Sequence, residues 1–169
     1  MLEILKYPDE RLRQHSLPVE RFNEELHTFL DEMAVTMYSA NGIGLAAPQV
    51  ARFIRCFVID IGEGHEEPKR RDLREFINPK LSNGEGKIVF EEGCLSIPGF
   101  SEEVQRNRMI RVDYQDRNGN SKSLVVEGLL AVAIQHENDH LEGVLFVDRL
   151  SPLKRTLAKR KLSKDVVTL

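Results

Sequence analysis

The chain has no tryptophan, only two cysteines, and no apolar run approaching the roughly 18 residues of a membrane-spanning helix. Two cysteines, Cys56 and Cys94, are too few for a disulfide framework and favour a reducing compartment. A net charge of −3 gives no general attraction to DNA or to an anionic membrane. The N-terminal segment reaches charged residues too early for a signal peptide. We therefore expect a cytoplasmic protein without membrane or DNA partners.

Length and composition are those of an ordinary globular protein. The 169 residues are 41% hydrophobic and 30% charged, enough to bury a sizeable core. There is no internal repeat, low-complexity tract or clear linker. We expect a single domain over residues 1–169.

Apolar periodicity predicts three helices. Apolar residues recur at three- and four-residue spacing over residues 19–40, which is typical of an amphipathic helix. Residues 126–143 are apolar almost all round up to His136, which indicates a helix buried on most sides. A C-terminal helix is expected at about residues 151–164, with Ser151 as its N-cap.

Branched and aromatic residues predict strands at residues 52–60, 76–81, 86–90 and 144–148. Asn118-Gly119 predicts a hairpin turn between strands at 109–116 and 121–126, and the polar stretch 62–75 predicts a surface loop. Because the strands come in runs rather than alternating with helices, we expect an α+β fold. Antiparallel or mixed sheets would enclose the helix of residues 126–143, with further helices at both ends of the chain.

The chemistry centres on His136-Glu137-x-x-His140, an H-E-x-x-H motif. Residues four apart share one face of a helix, so both imidazoles can reach one metal ion, with the Glu137 carboxylate beside it. Metallopeptidases with this motif find a third ligand downstream. Here the position of the final histidine in the longer motif is Phe146, and no glutamate follows Glu142. Only Asp148 and Asp165 remain, as weak candidates.

Upstream, two stretches offer further groups. Cys94 lies between Gly93 and a short apolar run, and a thiolate is a strong ligand for a divalent cation. One cysteine and two histidines would leave one of four tetrahedral positions for water, as a catalytic site requires. Residues 42–50 are rich in glycine and alanine, so a substrate backbone can lie alongside them, and Gln49 there offers an amide donor for an oxyanion.

Three stretches together resemble the peptide deformylase family. Its signatures, with φ for an apolar residue, are G-φ-G-φ-A-A-x-Q, E-G-C-φ-S and H-E-x-D-H. They correspond here to residues 42–49, 92–96 and 136–140. The similarity extends from the stretch YPDERLR near the start to GVLFVDRLSPLK near the end, and order and spacing fit the bacterial form.

The resemblance implies an enzyme that removes the formyl group from N-terminal N-formylmethionine of nascent polypeptides and releases formate. It implies Cys94, His136 and His140 as metal ligands and Glu137 as general base and acid. Gln49 and the backbone N–H of Leu95 would donate to the oxyanion. One divalent ion per chain is expected, physiologically Fe²⁺, although Zn²⁺, Ni²⁺ or Co²⁺ can occupy such a site. Cys/His₂ ligation alone would have suggested zinc.

The substrate pocket is expected to be apolar and to accept methionine. The residues predicted to line it are Ile43, Gly44, Phe90, Gly93, Leu129, Val132 and Ala133. In some bacterial members an arginine soon follows C-L-S-I-P, whereas here the next arginine is Arg106, and the stretch 62–75 looks longer than its counterpart in many members. These differences bear on how substrate is anchored beyond its first residue.

Several other residues are expected to have structural roles or no role in the site. Asp139 is expected to orient a neighbouring group rather than bind metal, and Cys56 to be a buried strand residue. His15, His27 and His65 are expected to have no role in the site. The basic residues of the C-terminal helix are Lys154, Arg155, Lys159, Arg160, Lys161 and Lys164. They fit a solvated helix face, with cations near the C-terminus favoured by the helix dipole, and the alternative is a transient contact with the ribosome. Two alternatives to a deformylase remain: a peptidase for internal bonds, and a metal-stabilised binding module for nascent chain ends.

Overall fold

The computed structural model describes residues 1–62 and 72–167. Three α-helices and seven strands follow one another with short 3₁₀ turns between them. The helices are α1 (Glu24–Ser39), α2 (Gly128–Leu141) and α3 (Pro152–Val167). The strands are β1 (Gly44–Ala46), β2 (Cys56–Ile59), β3 (Arg74–Glu85), β4 (Ile88–Cys94), β5 (Ile97–Arg106), β6 (Met109–Gln115) and β7 (Ser121–Glu127).

Two antiparallel sheets form the framework. The larger has the order β1-β2-β3-β6-β7, and the smaller is the β4–β5 hairpin. Among the described residues the strands pair only antiparallel, and the single parallel contact is an isolated bridge between Leu17 and Ile54. The expected α+β architecture is confirmed, with antiparallel rather than mixed sheets.

Helix α2 is the central helix of the fold. It contacts β1, β2, β6 and β7 of the larger sheet. Ala131 and Ile134 of α2 are fully buried in one apolar cluster with Phe57 and Phe76 of the sheet. The apolar character that predicted a helix buried on most sides thus reflects packing against the sheet.

Two further apolar clusters complete the core. Helix α1 buries Leu30, Met33 and Met37 completely against the other side of the sheet. Helix α3 contributes Ala158 and Leu162 to a third cluster, which includes residues of the β4–β5 hairpin. The larger sheet thus packs against α1, and the β4–β5 hairpin packs against α3. Helix α2 lies between the sheet and the hairpin.

The helix boundaries follow their capping groups. Helix α1 begins later than the periodicity predicts, because the Asn23 side chain accepts a hydrogen bond from the Leu26 N–H at 3.1 Å and caps the helix there. Ser151 caps α3 as predicted, its hydroxyl accepting from the Lys154 N–H at 3.4 Å. The predicted hairpin also forms, although its loop runs from Asp116 to Asn120.

One strand prediction is wrong, and two strands, β1 and β5, are not among those that the sequence predicts. Residues 144–148 do not form a strand, and a 3₁₀ turn occupies Phe146–Arg149. The Asp148 carboxylate accepts from the Leu145 N–H at 2.9 Å and closes this turn, and the consecutive residues Phe146 and Val147 are both buried, unlike in a half-buried strand. Strand β5 was not predicted, because its mainly polar sequence gives little apolar signal and the strand forms by pairing with β4.

Gly143 ends α2 in a left-handed conformation, with φ +72°. A Cβ at this position would collide with the Arg13 carbonyl. Gly128 has a similar φ of +65° but open space around a Cβ, which makes it a matched control. We expect Gly128→Ala to cost about 1–2 kcal/mol of unfolding free energy through backbone strain alone.

Gly143→Ala should cost distinctly more, because the backbone must also move away from Arg13. Urea unfolding of both variants measures the difference. Equal losses would show that the contact with Arg13 relaxes at no cost.

Candidate metal centre

The histidines of α2 and the cysteine of β4 meet in one place. Potential ligand atoms of Cys94, His136 and His140 all lie within 4.8 Å of one another. The Cys94 Sγ is 3.4 Å from the His140 Nε2. The downstream candidate Asp148 instead pairs with Arg13 and caps the Leu145 turn. The upstream cysteine is therefore the group that the fold brings to the histidines.

The end of the β4–β5 hairpin places Cys94. The register of the two strands shifts between Gly93 and Cys94, so that Cys94 lies opposite Ile97 across a tight turn. Ile97 is buried and anchors the turn in the third apolar cluster. This shift at the strand end directs the thiol towards α2.

A buried carboxylate fixes the first histidine. The Glu92 Oε1 lies 2.8 Å from the His136 Nδ1, and Glu92 is only 6% exposed. With the Nδ1 donating its hydrogen to the carboxylate, the Nε2 of His136 is left as the ligand atom. Glu92 lies two residues before Cys94 on the same strand, and residues two apart share one face of a sheet. That spacing is the signal by which the sequence could have indicated its role.

Arg106 joins this carboxylate to α2. Its guanidinium donates to Glu92 at 2.7 and 2.9 Å and to Asp139 at 3.0 Å, and Arg149 donates to the same aspartate at 2.8 and 3.1 Å. Asp139 therefore contacts two arginines, in keeping with a role in orientation. Arg106 is 8% exposed and does not line the cavity beside Cys94, so it does not stand in for the arginine that follows C-L-S-I-P in some bacterial members.

Gln49 lies next to Cys94, in the 3₁₀ turn Ala47–Val50. Its Oε1 accepts from the Ala46 N–H at 2.9 Å, which fixes the amide orientation. Its Nε2 then donates to the Ser96 hydroxyl at 3.1 Å and to the Cys94 Sγ at 3.5 Å. The N–H groups of the Gln49 amide thus point towards Ser96 and the candidate metal ligand Cys94.

Glu137 is buried beside the two histidines, and its Oε2 has no hydrogen-bond partner. Burial raises the pKa of this carboxyl to about 7. A Cβ on Gly44 would lie 2.5 Å from its Oε1, so the absence of a side chain there leaves room for the carboxylate. A nearby cation would lower the pKa again and favour the carboxylate.

The donor set fits a divalent metal ion. Burial, with the charge of His136, lowers the pKa of His140, which keeps it in the neutral form that binds metal. Burial also acts to lower the pKa of His136, but hydrogen bonds with Cys94 and Glu92 outweigh it and raise that pKa. A bound cation would take the place of the proton shared between His136 and Cys94. One sulfur and two nitrogens would leave one of four ligand positions for water.

A cavity of about 360 Å³ opens onto this cluster. All the residues predicted for the substrate pocket line it, namely Ile43, Gly44, Phe90, Gly93, Leu129, Val132 and Ala133. Ile43 and Leu129 are 41% and 38% exposed and lie at its rim, while Val132 and Ala133 are buried. Gln49, Leu95 and Glu137 line the same cavity. Their roles remain predictions.

The residues expected to have no role lie away from the cluster. His15 is exposed beside Glu142, and the His27 Nε2 is 2.7 Å from the Arg117 carbonyl oxygen. Cys56 is fully buried in β2, and burial raises the pKa of its thiol to about 12. His65 and most of the predicted loop 62–75 lie outside the described residues. Within residues 1–62 and 72–167, no helix has both the length and the apolar character to cross a membrane.

Comparisons with known proteins agree with this geometry. The family model described as polypeptide deformylase matches residues 1–156. A peptide deformylase of Wolinella succinogenes is 48% identical over 164 residues, covering 97% of this chain and 96% of the relative. One of Chromobacterium violaceum is 49% identical, with coverages of 97% and 95%.

Solved structures give the same result. The crystal structure of a peptide deformylase from Legionella pneumophila superposes with a TM-score of 0.87 at 46% identity, covering 99% of this chain and 96% of that one. A peptide deformylase from Synechococcus elongatus in complex with actinonin gives a TM-score of 0.86 at 44% identity, with coverages of 95% and 86%.

The contact between Glu92 and His136 predicts an effect on metal affinity. Glu92→Gln removes the charge that holds the imidazole, and loss of such a partner typically weakens metal binding about 10- to 100-fold. Competition with a chromophoric chelator measures the affinity. The control is Glu91→Gln, because Glu91 is the exposed neighbour bonded to Ser101.

Circular dichroism must show that both variants are folded, because Arg106 also loses a charged partner in Glu92→Gln. Equal affinities in the folded Glu92→Gln and Glu91→Gln proteins would show that Glu92 does not support the ligand.

Proposed function

Because the chain belongs to the peptide deformylase family, we propose that the cavity beside Cys94, His136 and His140 is its active site. The enzyme hydrolyses the N-formyl group of N-terminal formylmethionine in nascent polypeptides and releases formate. The observation that carries the site assignment is the convergence of the three ligand atoms within 4.8 Å, with Cys94 and His136 lining the cavity.

Cys94, His136 and His140 would hold the metal ion. When bound, a divalent ion supplies positive charge that acidifies water and polarises a carbonyl. We propose that the physiological ion is Fe²⁺, and the support for this choice of ion is the family resemblance alone. The ligand set by itself suits Zn²⁺, Ni²⁺ or Co²⁺ as well.

Glu137 would carry the proton. Its carboxylate takes a proton from the water that attacks the formyl carbon, and then returns it to the departing amine. Burial and the lack of a partner for its Oε2 support this role, because a carboxylate engaged in an ion pair would be a weaker base. Gly44 leaves the space in which the carboxylate lies.

Gln49 and the backbone N–H of Leu95 would stabilise the oxyanion of the tetrahedral intermediate. The Gln49 amide is held by the Ala46 N–H and points towards Cys94 and Ser96. Leu95 follows the metal ligand directly and lines the cavity. Donors fixed in this way need little reorganisation when negative charge develops.

The apolar wall of the cavity would accept the methionine side chain. Val132 and Ala133 lie on α2 one turn before His136, and Phe90 faces them from β4 across the cavity. Rim residues Ile43 and Leu129 would contact the following residues of the peptide.

We further propose that the enzyme acts in the cytoplasm and makes a transient ribosome contact through α3. The exposed basic residues of this helix are Lys154, Lys159, Arg160, Lys161 and Lys164. Lys154 is 3.1 Å from Glu102, and the Lys161 Nζ lies 5.7 Å from the centre of the Phe100 ring. The support is the exposed positive charge, which suits a phosphate backbone.

The activity is tested by formate release from formyl-Met-Ala-Ser. We expect rapid release by protein prepared anaerobically with Fe²⁺ or Ni²⁺. Acetyl-Met-Ala-Ser and a peptide with internal bonds serve as controls and should stay intact. Cleavage of the internal-bond peptide would favour a peptidase. No reaction by fully metallated protein would favour a binding module.

Glu137→Ala should retain its metal and lose activity about 10²- to 10⁴-fold, since a general base of this kind contributes that much. The matched control is Glu142→Ala, because Glu142 follows the same helix but does not line the cavity. Formate release and metal content are measured on the same samples. Near-normal turnover by metallated Glu137→Ala would remove Glu137 from the mechanism.

A further inference from the structure

Three consecutive N-terminal residues donate hydrogen bonds to backbone carbonyl groups in the two turns that carry the proposed oxyanion donors. The Leu5 N–H donates to the Gln49 carbonyl at 2.7 Å, and the Tyr7 N–H donates to the Ser96 carbonyl at 2.8 Å. Between them, the Lys6 Nζ donates to the Leu95 carbonyl at 2.7 Å. Residues 5–7, which we call the strap, therefore connect two segments that lie more than forty residues apart in the sequence.

The strap is held in place independently of these hydrogen bonds. Leu5 is buried in the apolar cluster that contains Ile97, and Tyr7 packs against the same cluster. Just before the strap, Leu2 and Ile4 pack against the α1 cluster, and the Leu2 N–H donates to the Thr36 hydroxyl at 3.0 Å. Because packing fixes its path, the strap can set the distance between the two segments it binds.

That distance matters because the oxyanion donors lie on separate elements. Gln49 is in the 3₁₀ turn after β1, and Leu95 is in the turn between β4 and β5. Leu5 and Tyr7 are two residues apart, which corresponds to about 7 Å of extended chain. A short, fixed length of backbone thus bridges the turns that carry the two donors.

Lys6 acts on the second of these turns. The Leu95 N–H and the Leu95 carbonyl belong to adjacent peptide planes, so holding the carbonyl restricts the turn that directs the N–H. The ammonium also keeps the carbonyl dipole directed towards itself, and a hydrogen bond from a charged donor is stronger than a neutral one. Lys6 is exposed and does not line the cavity, so it does not contact substrate.

We propose that the strap aligns the two oxyanion donors and that Lys6 is a positioning residue for the Leu95 N–H. This proposal rests on the proposed function, because it takes the roles of Gln49 and Leu95 from it. The backbone bonds of Leu5 and Tyr7 form whatever their side chains are. Lys6 is therefore the position at which side-chain substitution tests the alignment.

The test compares three variants loaded with the same metal. Lys6→Met keeps the aliphatic stem and removes the donor, and Lys6→Arg keeps a charged donor. Lys122→Met removes the same charge from an exposed site on β7, away from the cavity. Steady-state kinetics with formyl-Met-Ala-Ser give kcat and KM, and metal content and thermal stability are measured in parallel.

We expect Lys6→Met to lower kcat about three- to tenfold, less than the 10²- to 10³-fold lost with an oxyanion donor itself, because Lys6 acts through one peptide unit. KM should stay within about twofold, since binding of the ground state does not need this alignment. Lys6→Arg should restore kcat, and Lys122→Met should leave it unchanged.

Several results would overturn the proposal. They are equal kcat in Lys6→Met and Lys122→Met, a change confined to KM, a failure of Lys6→Arg to restore kcat, and a loss of kcat that parallels a loss of metal. The wild-type enzyme separates this inference from the function on which it rests. No formate release by metallated wild type would refute the proposed function, whereas normal release with an unaffected Lys6→Met would refute only the role of Lys6.

Discussion

A buried chain of charges holds the β4–β5 hairpin against α2, and the rest of the site depends on it. Arg106 binds Glu92 of the hairpin and Asp139 of the helix, and Glu92 in turn contacts His136. Removing one member of such a network would leave a buried charge uncompensated, at a cost of about 3–5 kcal/mol. The network thus places the thiol of Cys94 next to the helix that carries both histidines.

Two of the buried carboxylates in this region are paired with arginines, and a third is not. Glu92 and Asp139 are satisfied by arginines, whereas the Glu137 Oε2 has no partner. A buried carboxylate without a partner is unfavourable for stability. It persists here beside a cluster suited to a cation, which would compensate its charge. This difference in pairing gives Glu92 and Asp139 structural contacts and is consistent with the proton transfer proposed for Glu137.

Close backbone approach is the second constraint on the site. Gly44 has no side chain, and a Cβ there would meet the Glu137 carboxylate. The neighbouring turn brings Gln49 to Cys94, and the strap ties that turn to the one that carries Leu95. The proposed oxyanion donors and the proposed proton carrier are therefore surrounded by packed backbone, which would keep them in place before the substrate arrives.

The sequence by itself determined the helices, most strands and the family of the protein, because periodicity and the three motifs are local patterns. Tertiary structure decided what depends on partners distant in the chain. Pairing with β4 made β5 a strand despite its polar sequence. Residues 146–149 form a 3₁₀ turn, and Phe146 and Val147 are both buried in a cluster with the distant residues Leu5 and Leu12. The fold buries Arg106 between Glu92 and Asp139, where it joins the hairpin to α2. Packing also brings the Lys6 ammonium to the Leu95 carbonyl. Such contacts join residues far apart in sequence, so no local pattern records them.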